Sequence, residues 1–311
     1  MACQGTGLGG ESKIMIIHLK DPKNKRIDFR AALRSGKLLQ FPGAYNPLSA
    51  LLIEQTGFEG VYCSGAVIAN SLGLPDIGLT TLTEVSHFAG DIAGVVSLPV
   101  IVDIDTGFGE TMNVVRTIQE LEYLGVAGCH MEDQVNPKRC GHLDNKDIVT
   151  TEAMVQKISA AAKGKQDANF LLIARTDARA SEGLEKAIER AKAYIDAGAE
   201  MIFPEAMQNE KEFEAFRKAV DVPLLANMTE FGKSKLLSKK ELEALGYNIV
   251  IYPVTLQRLA MKAVEEGLKE IKEQGTQEGL VGKMQTRQRL YEVLKYSDYN
   301  TFDQSIYNFK L

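Results

Sequence analysis

No two of the four cysteines in this 311-residue chain are spaced as CxxC. Cys3, Cys63, Cys129 and Cys140 therefore suggest neither structural zinc nor a disulfide framework, and a reducing cytoplasm suits them best. The chain also lacks any apolar run near the roughly 18–20 residues that a membrane helix needs. Its start, MACQGTGLGGESK, has no basic segment followed by an apolar one, so it does not read as a signal peptide. Net charge is −5 with no localised basic stripe, which argues against a nucleic-acid partner. A formal GxGxxG stands at Gly5, Gly7 and Gly10, yet such a loop cradles a dinucleotide only between a strand and a helix, and no strand precedes it. Residues 1–13 read as a flexible tail or cloning remnant, and residues 14–311 as one domain.

What remains is the composition of a soluble globular protein, long enough for two ordinary domains or one large α/β barrel. Eight short apolar runs rich in β-branched residues recur along it: LLQFPGA (38–44), GVYCSG (60–65), PVIVDIDTG (99–107), GCHMED (128–133), FLLIARTD (170–177), MIFPEA (201–206), PLLANMT (223–229) and NIVIYPVT (248–255). Amphipathic segments at 111–125, 183–199 and 211–220 separate them, with Lys/Glu faces and terminal glycines. Strands alternating with helices give a parallel barrel or a doubly wound sheet.

The polar residues choose between these. Nearly every run starts apolar and ends polar: Tyr62 and Ser64, Asp103 and Asp105, His130 and Glu132, Arg175 and Asp177, Glu205, Asn227 and Thr229, and Thr255. A (β/α)8 barrel of the TIM type gathers all its strand C-termini around one mouth, whereas an open sheet concentrates them near a switch point. Polar strand ends arise trivially where loops begin, but charged ends on four otherwise buried runs go beyond that. A parallel (β/α)8 barrel is therefore expected.

Asp103 and Asp105 are two apart, so on a strand they share a side. His130 and Glu132 do the same, leaving Cys129, Met131 and Asp133 on the other face. Carboxylates packed together repel unless a cation sits among them, and an oxygen-rich set suits magnesium or manganese with retained waters. The alternative for Asp105 is capping the TGFG turn. Just beyond lies KRCGH (138–142), in which Lys138, Arg139 and His142 surround Cys140 and favour its thiolate. Its setting, NPKRCGHLDNK, has the turn formers and Gly141 of a mobile lid, although a solvated basic loop has the same composition.

KRCGH after HMEDQ, VDIDTGFG upstream and SLGLPDIG before that resemble the isocitrate lyase and phosphoenolpyruvate mutase superfamily. The likeness runs from about Leu38 to Tyr296 and includes IARTDA, FPEA, LANMTEFG and MQTRQRLYE. Isocitrate lyases proper are larger and read KKCGH, with a tryptophan in place of the Phe203 of Phe203-Pro204-Glu205; phosphonomutases lack the cysteine. Related short chains carry a glycine triplet where Ser64-Gly65 is followed here by Ala66-Val67. The resemblance implies a cytoplasmic lyase of the methylcitrate cycle that splits 2-methylisocitrate, a small tricarboxylate, into pyruvate and succinate, with Mg2+ (or Mn2+) as cofactor. It implies Asp76, Asp103, Asp105 and Glu132 around the metal and Cys140 as proton donor. Ser64, Gly65, Arg175, Asn227 and Thr229 are implied to bind substrate, Glu205 to orient the lid or its lysine, and Tyr62 is the candidate base. It further implies a homotetramer with exchanged C-terminal helices, to which the extension from about 256 and its aromatic, irregular tail belong. The rival functions are a related lyase on 2,3-dimethylmalate, isocitrate or oxaloacetate, a phosphonopyruvate enzyme, and a non-enzymatic scaffold.

Overall fold

The computed structural model describes residues 19–139, 141 and 147–307. Cys140 and His142 lie outside the described residues, as do the tail at 1–13 and Phe309. All eight expected runs are strands: β1 (Leu39–Pro42), β2 (Val61–Cys63), β3 (Val100–Asp103), β4 (Gly128–Glu132), β5 (Leu171–Thr176), β6 (Met201–Pro204), β7 (Leu225–Asn227) and β8 (Ile249–Tyr252). They pair in parallel, in the order β1-β8-β7 and β2-β3-β4-β5-β6. Parallel bridges between Gly43 and Tyr62 and between Ile202 and Leu224 join the two ladders at both seams, so the ring closes.

Strand alternation sorts the core into two clusters. Phe41, Tyr62, Ile101, Leu171, Ile173, Met201, Phe203, Leu225, Ile249 and Ile251 fill the barrel interior. Their neighbours in sequence, such as Cys63, Val102, Cys129, Met131, Leu172 and Ala174, pack with the surrounding helices. Period-two side-chain direction does this directly.

The helix Pro22–Leu33, capped by the Asp21 side chain, was not expected. It adds Phe29 and Leu33 to the interior cluster. Arg26 Nε donates to Val126 O (2.9 Å) and Arg30 donates to Asn169 O (3.0 Å) and Phe170 O (2.9 Å), just ahead of β4 and β5. The helix thus covers the N-terminal end of the barrel, opposite the mouth.

After β8 comes the helix Thr255–Gln274, as its amphipathic pattern predicts, and none of its residues is buried. Leu259 and Leu268 are 64% and 63% exposed. Residues 19–282 form one compact unit, and 283–307 belong to a second. The second carries the helices Arg287–Val293 and Tyr296–Tyr307, separated by Lys295 at φ 52°. Its expected irregular tail is therefore corrected to a helix. Tyr296, Tyr299, Phe302 and Ile306 recur at spacings of three and four, the helical period. Tyr291 and Tyr296 stack at 4.5 Å between ring centroids.

Candidate active site

The barrel mouth gathers Tyr62 and Ser64 from β2, Asp103 from β3, Arg175 from β5, Phe203 and Glu205 from β6 and Asn227 and Thr229 from β7 around one cavity, with Asp76, Lys138 and Gly141 completing the wall. Even-numbered residues of β4 point the same way, so His130 and Glu132 enter the interior while Asp133 faces the helices.

Lys138 is the centre of charge. Its side chain is 3% exposed, its Nζ lies 2.9 Å from Asp105 Oδ1, and it pairs more closely still with Asp76. Burial disfavours the ammonium, but Asp105, Glu132, Asp103 and Asp76 outweigh it and hold Lys138 protonated. Sequence reasoning had this lysine tuning a thiol. Here it pairs with carboxylates, and the thiol, Cys140, lies outside the described residues.

Asp105 is not on the strand at all. It sits beyond β3 at φ +47°, and its backbone N–H donates to Asp103 Oδ1 (3.0 Å). The two carboxylates still meet, but because the chain turns and not because they alternate along a strand. Burial pushes the Asp105 carboxyl up to about 6. Glu132 is 2% exposed and neither of its oxygens accepts a hydrogen bond. Arg175 Nε, at 3.2 Å from Oε2, is its ion-pair neighbour. Burial raises its pKa well above the ordinary range, against the pull of Arg175 and Lys138.

A hard divalent cation fits this donor set. The donors are carboxylates, mostly buried, with both Glu132 oxygens accepting no hydrogen bond, and such groups ionise together only around added positive charge. Among the described residues no three carboxylate, imidazole or thiol groups converge as direct ligands. Water would complete the shell, as expected for magnesium. Gly65 keeps the space open: a Cβ there would meet Asp103 Oδ2 at 2.9 Å and Asp105 Oδ1 at 3.1 Å. Overpacking of this kind costs about 1–3 kcal/mol. Gly65→Ala is accordingly expected to weaken divalent-cation affinity about tenfold or more, as isothermal titration of the metal-free protein would measure.

Tyr62 hydrogen-bonds His130 Nε2 at 2.7 Å. Burial, with Asp103 beside it, raises the phenol well above its usual value, which keeps this candidate base protonated near neutral pH. Burial also lowers His130 to about 4, leaving it neutral. Its Nδ1 lies 3.7 Å from Asp103 Oδ1, a contact between a neutral ring and a carboxylate near neutral pH.

Arg175 is locked on several sides. Its Nε and one terminal nitrogen donate to the two Asp177 oxygens (2.9 and 3.2 Å), Glu205 Oε2 lies 3.4 Å away, and its guanidinium stands 5.1 Å from the Phe203 ring centroid. Asn227 Nδ2 reaches Glu205 at 3.3 Å. Gly141 is buried in this corner; a Cβ would come within 2.3 Å of the Arg175 guanidinium and 2.5 Å of Glu205. Glu205 thus meets the KRCGH segment at its glycine and not at its lysine. Gly65 N–H, expected to bind a substrate carboxylate, faces Asp103 Oδ2 at 3.3 Å. Arg139 is brought elsewhere: it is exposed, its backbone bonds Gln134, and it does not line the cavity. Thr255 likewise turns from the mouth and bonds Glu230.

Sequence reasoning missed Arg258. It lines the cavity from the first turn of Thr255–Gln274, held by Glu230 Oε2 (2.9 Å) and lying 5.2 Å from the Phe231 ring centroid. A helical arginine among Lys/Glu neighbours gives no pattern by which to single it out. The cavity itself holds about 90 Å3, well below the roughly 300–1,000 Å3 usual for ligand pockets.

The phosphoenolpyruvate phosphomutase family profile matches residues 29–272. A Corynebacterium glutamicum protein named "Probable 2-methylisocitrate lyase 1" is 60% identical, with 93% of this chain and 95% of that one covered. A 2-methylisocitrate lyase of Aeropyrum pernix is 50% identical over 89% of each. Among solved structures, a 2,3-dimethylmalate lyase superposes with a TM-score of 0.86 at 33% identity, covering 91% of this chain and 95% of that one. A phosphonopyruvate hydrolase in complex with oxalate and Mg++ gives 0.83 at 32% identity, covering 92% and 99%.

Proposed function

The chain belongs to the phosphoenolpyruvate phosphomutase family, and from that membership we propose that it is a carbon–carbon lyase cleaving 2-methylisocitrate to pyruvate and succinate. The observation that carries the substrate assignment is the 60% identity to a relative of that name along more than nine-tenths of the chain. In the reaction the tertiary hydroxyl loses its proton, the adjacent C–C bond breaks, and its electron pair stays on the fragment that becomes succinate. That carbanion takes a proton from a general acid, for which Cys140 is the candidate.

The described residues supply the rest. Arg175 presents a planar cationic fork to a substrate carboxylate, with Asn227, Thr229, Ser64 and Arg258 on the wall around it. The Tyr62–His130 pair can relay a proton, the neutral imidazole receiving the phenol's as the phenol takes the substrate's. Lys138 supports the developing alkoxide from within the carboxylate cluster. Bound magnesium, held by Asp103, Asp105, Glu132 and Asp76 with water between, would supply Lewis-acid stabilisation of that oxygen. Since the cavity is smaller than a usual ligand pocket, entry of a tricarboxylate requires the segment bearing Lys138 and Gly141 to withdraw.

Side-by-side incubation with 2-methylisocitrate and isocitrate is expected to release pyruvate far faster than glyoxylate; the reverse preference would overturn the substrate assignment. Cys140→Ser should lower kcat by about 100-fold or more, with folding and magnesium affinity retained. We further assign the exposed apolar side chains of the amphipathic helix Thr255–Gln274, none of whose residues is buried, to contacts between subunits of a homotetramer, and a monomeric native mass would exclude this. Among the described residues no helix is long and apolar enough to cross a membrane. The buried free thiols Cys63 and Cys129 accord with the reducing cytoplasm proposed as its compartment.

A further inference from the structure

Behind the barrel wall, away from the cavity, Asp133 is buried with no exposure at all. It follows β4 directly, and strand alternation turns it outward where Glu132 turns in. Its two oxygens collect three donors from three places. Oδ2 accepts from Thr176 Oγ1 (2.8 Å), on β5, and from the Tyr194 hydroxyl (2.8 Å), on the helix Leu184–Asp196. Oδ1 accepts from the backbone N–H of Asp177 (2.8 Å).

Each partner is itself fixed. The Tyr194 hydroxyl accepts from Arg190 (3.2 Å), which forks onto Glu182 through two bonds of 2.7 and 2.8 Å and donates to Val149 O (2.8 Å). Asp177, whose N–H Asp133 holds, is the residue whose carboxylate grips Arg175 by two bonds on the cavity side. A chain of hydrogen bonds therefore crosses the barrel wall, from Arg190 through Tyr194 and Asp133 to the backbone of Asp177 and on to the Arg175 fork.

The geometry points to Asp133 as a positioning residue for substrate binding: it ties the ends of β4 and β5 to the Leu184–Asp196 helix and so sets the angle at which Asp177 presents Arg175. The inference rests on the reading of Arg175 as the substrate-carboxylate fork. A buried carboxylate retained at such a place costs desolvation, and it is offset here by three donors. Helix packing alone would be served as well by an apolar side chain, which has no means of holding the Asp177 N–H. The bidentate Asp177–Arg175 step makes the fork's direction sensitive to a shift at the hub, and misplacement of about 1 Å at a reacting or binding group can cost on the order of 100-fold.

The test is a double-mutant cycle on the magnesium-loaded enzyme, read as KM and kcat separately. Asp133→Ala is expected to raise KM about tenfold or more, while Asp133→Asn, which keeps an acceptor for the Asp177 N–H and lets the two hydroxyls reorient, stays within about threefold of the parent. In an Arg175→Lys background, where the fork is already lost, Asp133→Ala should add little further change, because contacting residues in one network are not additive. Magnesium affinity should stay within about twofold, since Glu132 leaves the strand on the opposite face.

Full multiplication of the two KM effects would overturn the proposal, as would a fall in magnesium affinity matching the KM rise. If Asp133→Ala does not fold, Tyr194→Phe takes its place in the cycle, and an unchanged KM there counts against the proposal. An Arg175→Lys enzyme with parental KM would instead sink the reading of Arg175 itself, a result separable from the others because it needs no change at Asp133.

Discussion

Exhaustive removal of divalent metal with EDTA is expected to abolish turnover, and added Mg2+ or Mn2+ to restore it. The electrostatics of the mouth demand this. Among the described residues, Asp76, Asp105, Glu132, Asp177 and Glu205 are in ion-pair contact with Lys138 or Arg175, and Asp103 acts on Lys138 through its charge. Burial, with neighbouring carboxylates adding to it, pushes Asp105 up to about 6 and raises Glu132 well above the ordinary range. A divalent ion held by Asp76, Asp103, Asp105 and Glu132 would add positive charge that favours their ionised forms. Activity that survives dialysis against chelator, with metal content verified by mass spectrometry, would mean that the cluster has another purpose.

Lys138→Met should lower kcat/KM by about 10³-fold, the scale seen when one preorganised electrostatic group is deleted from an active site. The same variant carries a stability signature. Removing one partner of a buried ion pair costs about 3–5 kcal/mol when the remaining charge stays ionised. Asp105 has a folded-state pKa raised from 3.8 to about 6. In that window the folded protein binds its proton more tightly than the unfolded chain does, so this group's contribution to stability declines as pH climbs from about 4 to about 6. Lys138 opposes the rise, and without it the window extends upward. The melting temperatures of metal-free parent and Lys138→Met should therefore nearly coincide near pH 5 and separate at pH 8. A gap that is constant across pH would show that Lys138 contributes packing and not charge.

Much of the fold was legible because its signal is local. Each strand announced itself by a short β-branched run that ends polar, and all eight fell within the expected spans. The helix Pro22–Leu33 escaped notice because it buries through polar groups: Lys25, Arg26 and Arg30 reach backbone carbonyls, so its sequence shows no wide apolar stripe. The helix Tyr296–Tyr307 was hidden for the opposite reason, since its aromatic stripe reads as tail composition until the three-and-four spacing is counted.

The site divides in the same way. Which side chains enter the barrel followed from the chain alone, because direction along a strand alternates with period two and needs no knowledge of neighbours. His130 and Glu132 were placed on that ground, and Arg175, Glu205 and Asn227 by standing at the polar ends of their runs. Partnership did not follow. Lys138 meets Asp76 across 62 residues of sequence, Tyr62 meets His130 across 68, and Asp133 meets Tyr194 across 61. Asp105 joins Asp103 only through a left-handed turn. Residue pattern determined the barrel and its inward faces, while closure of the ring decided which charge neutralises which, because Coulomb energy depends on distances between strands that sequence order does not contain.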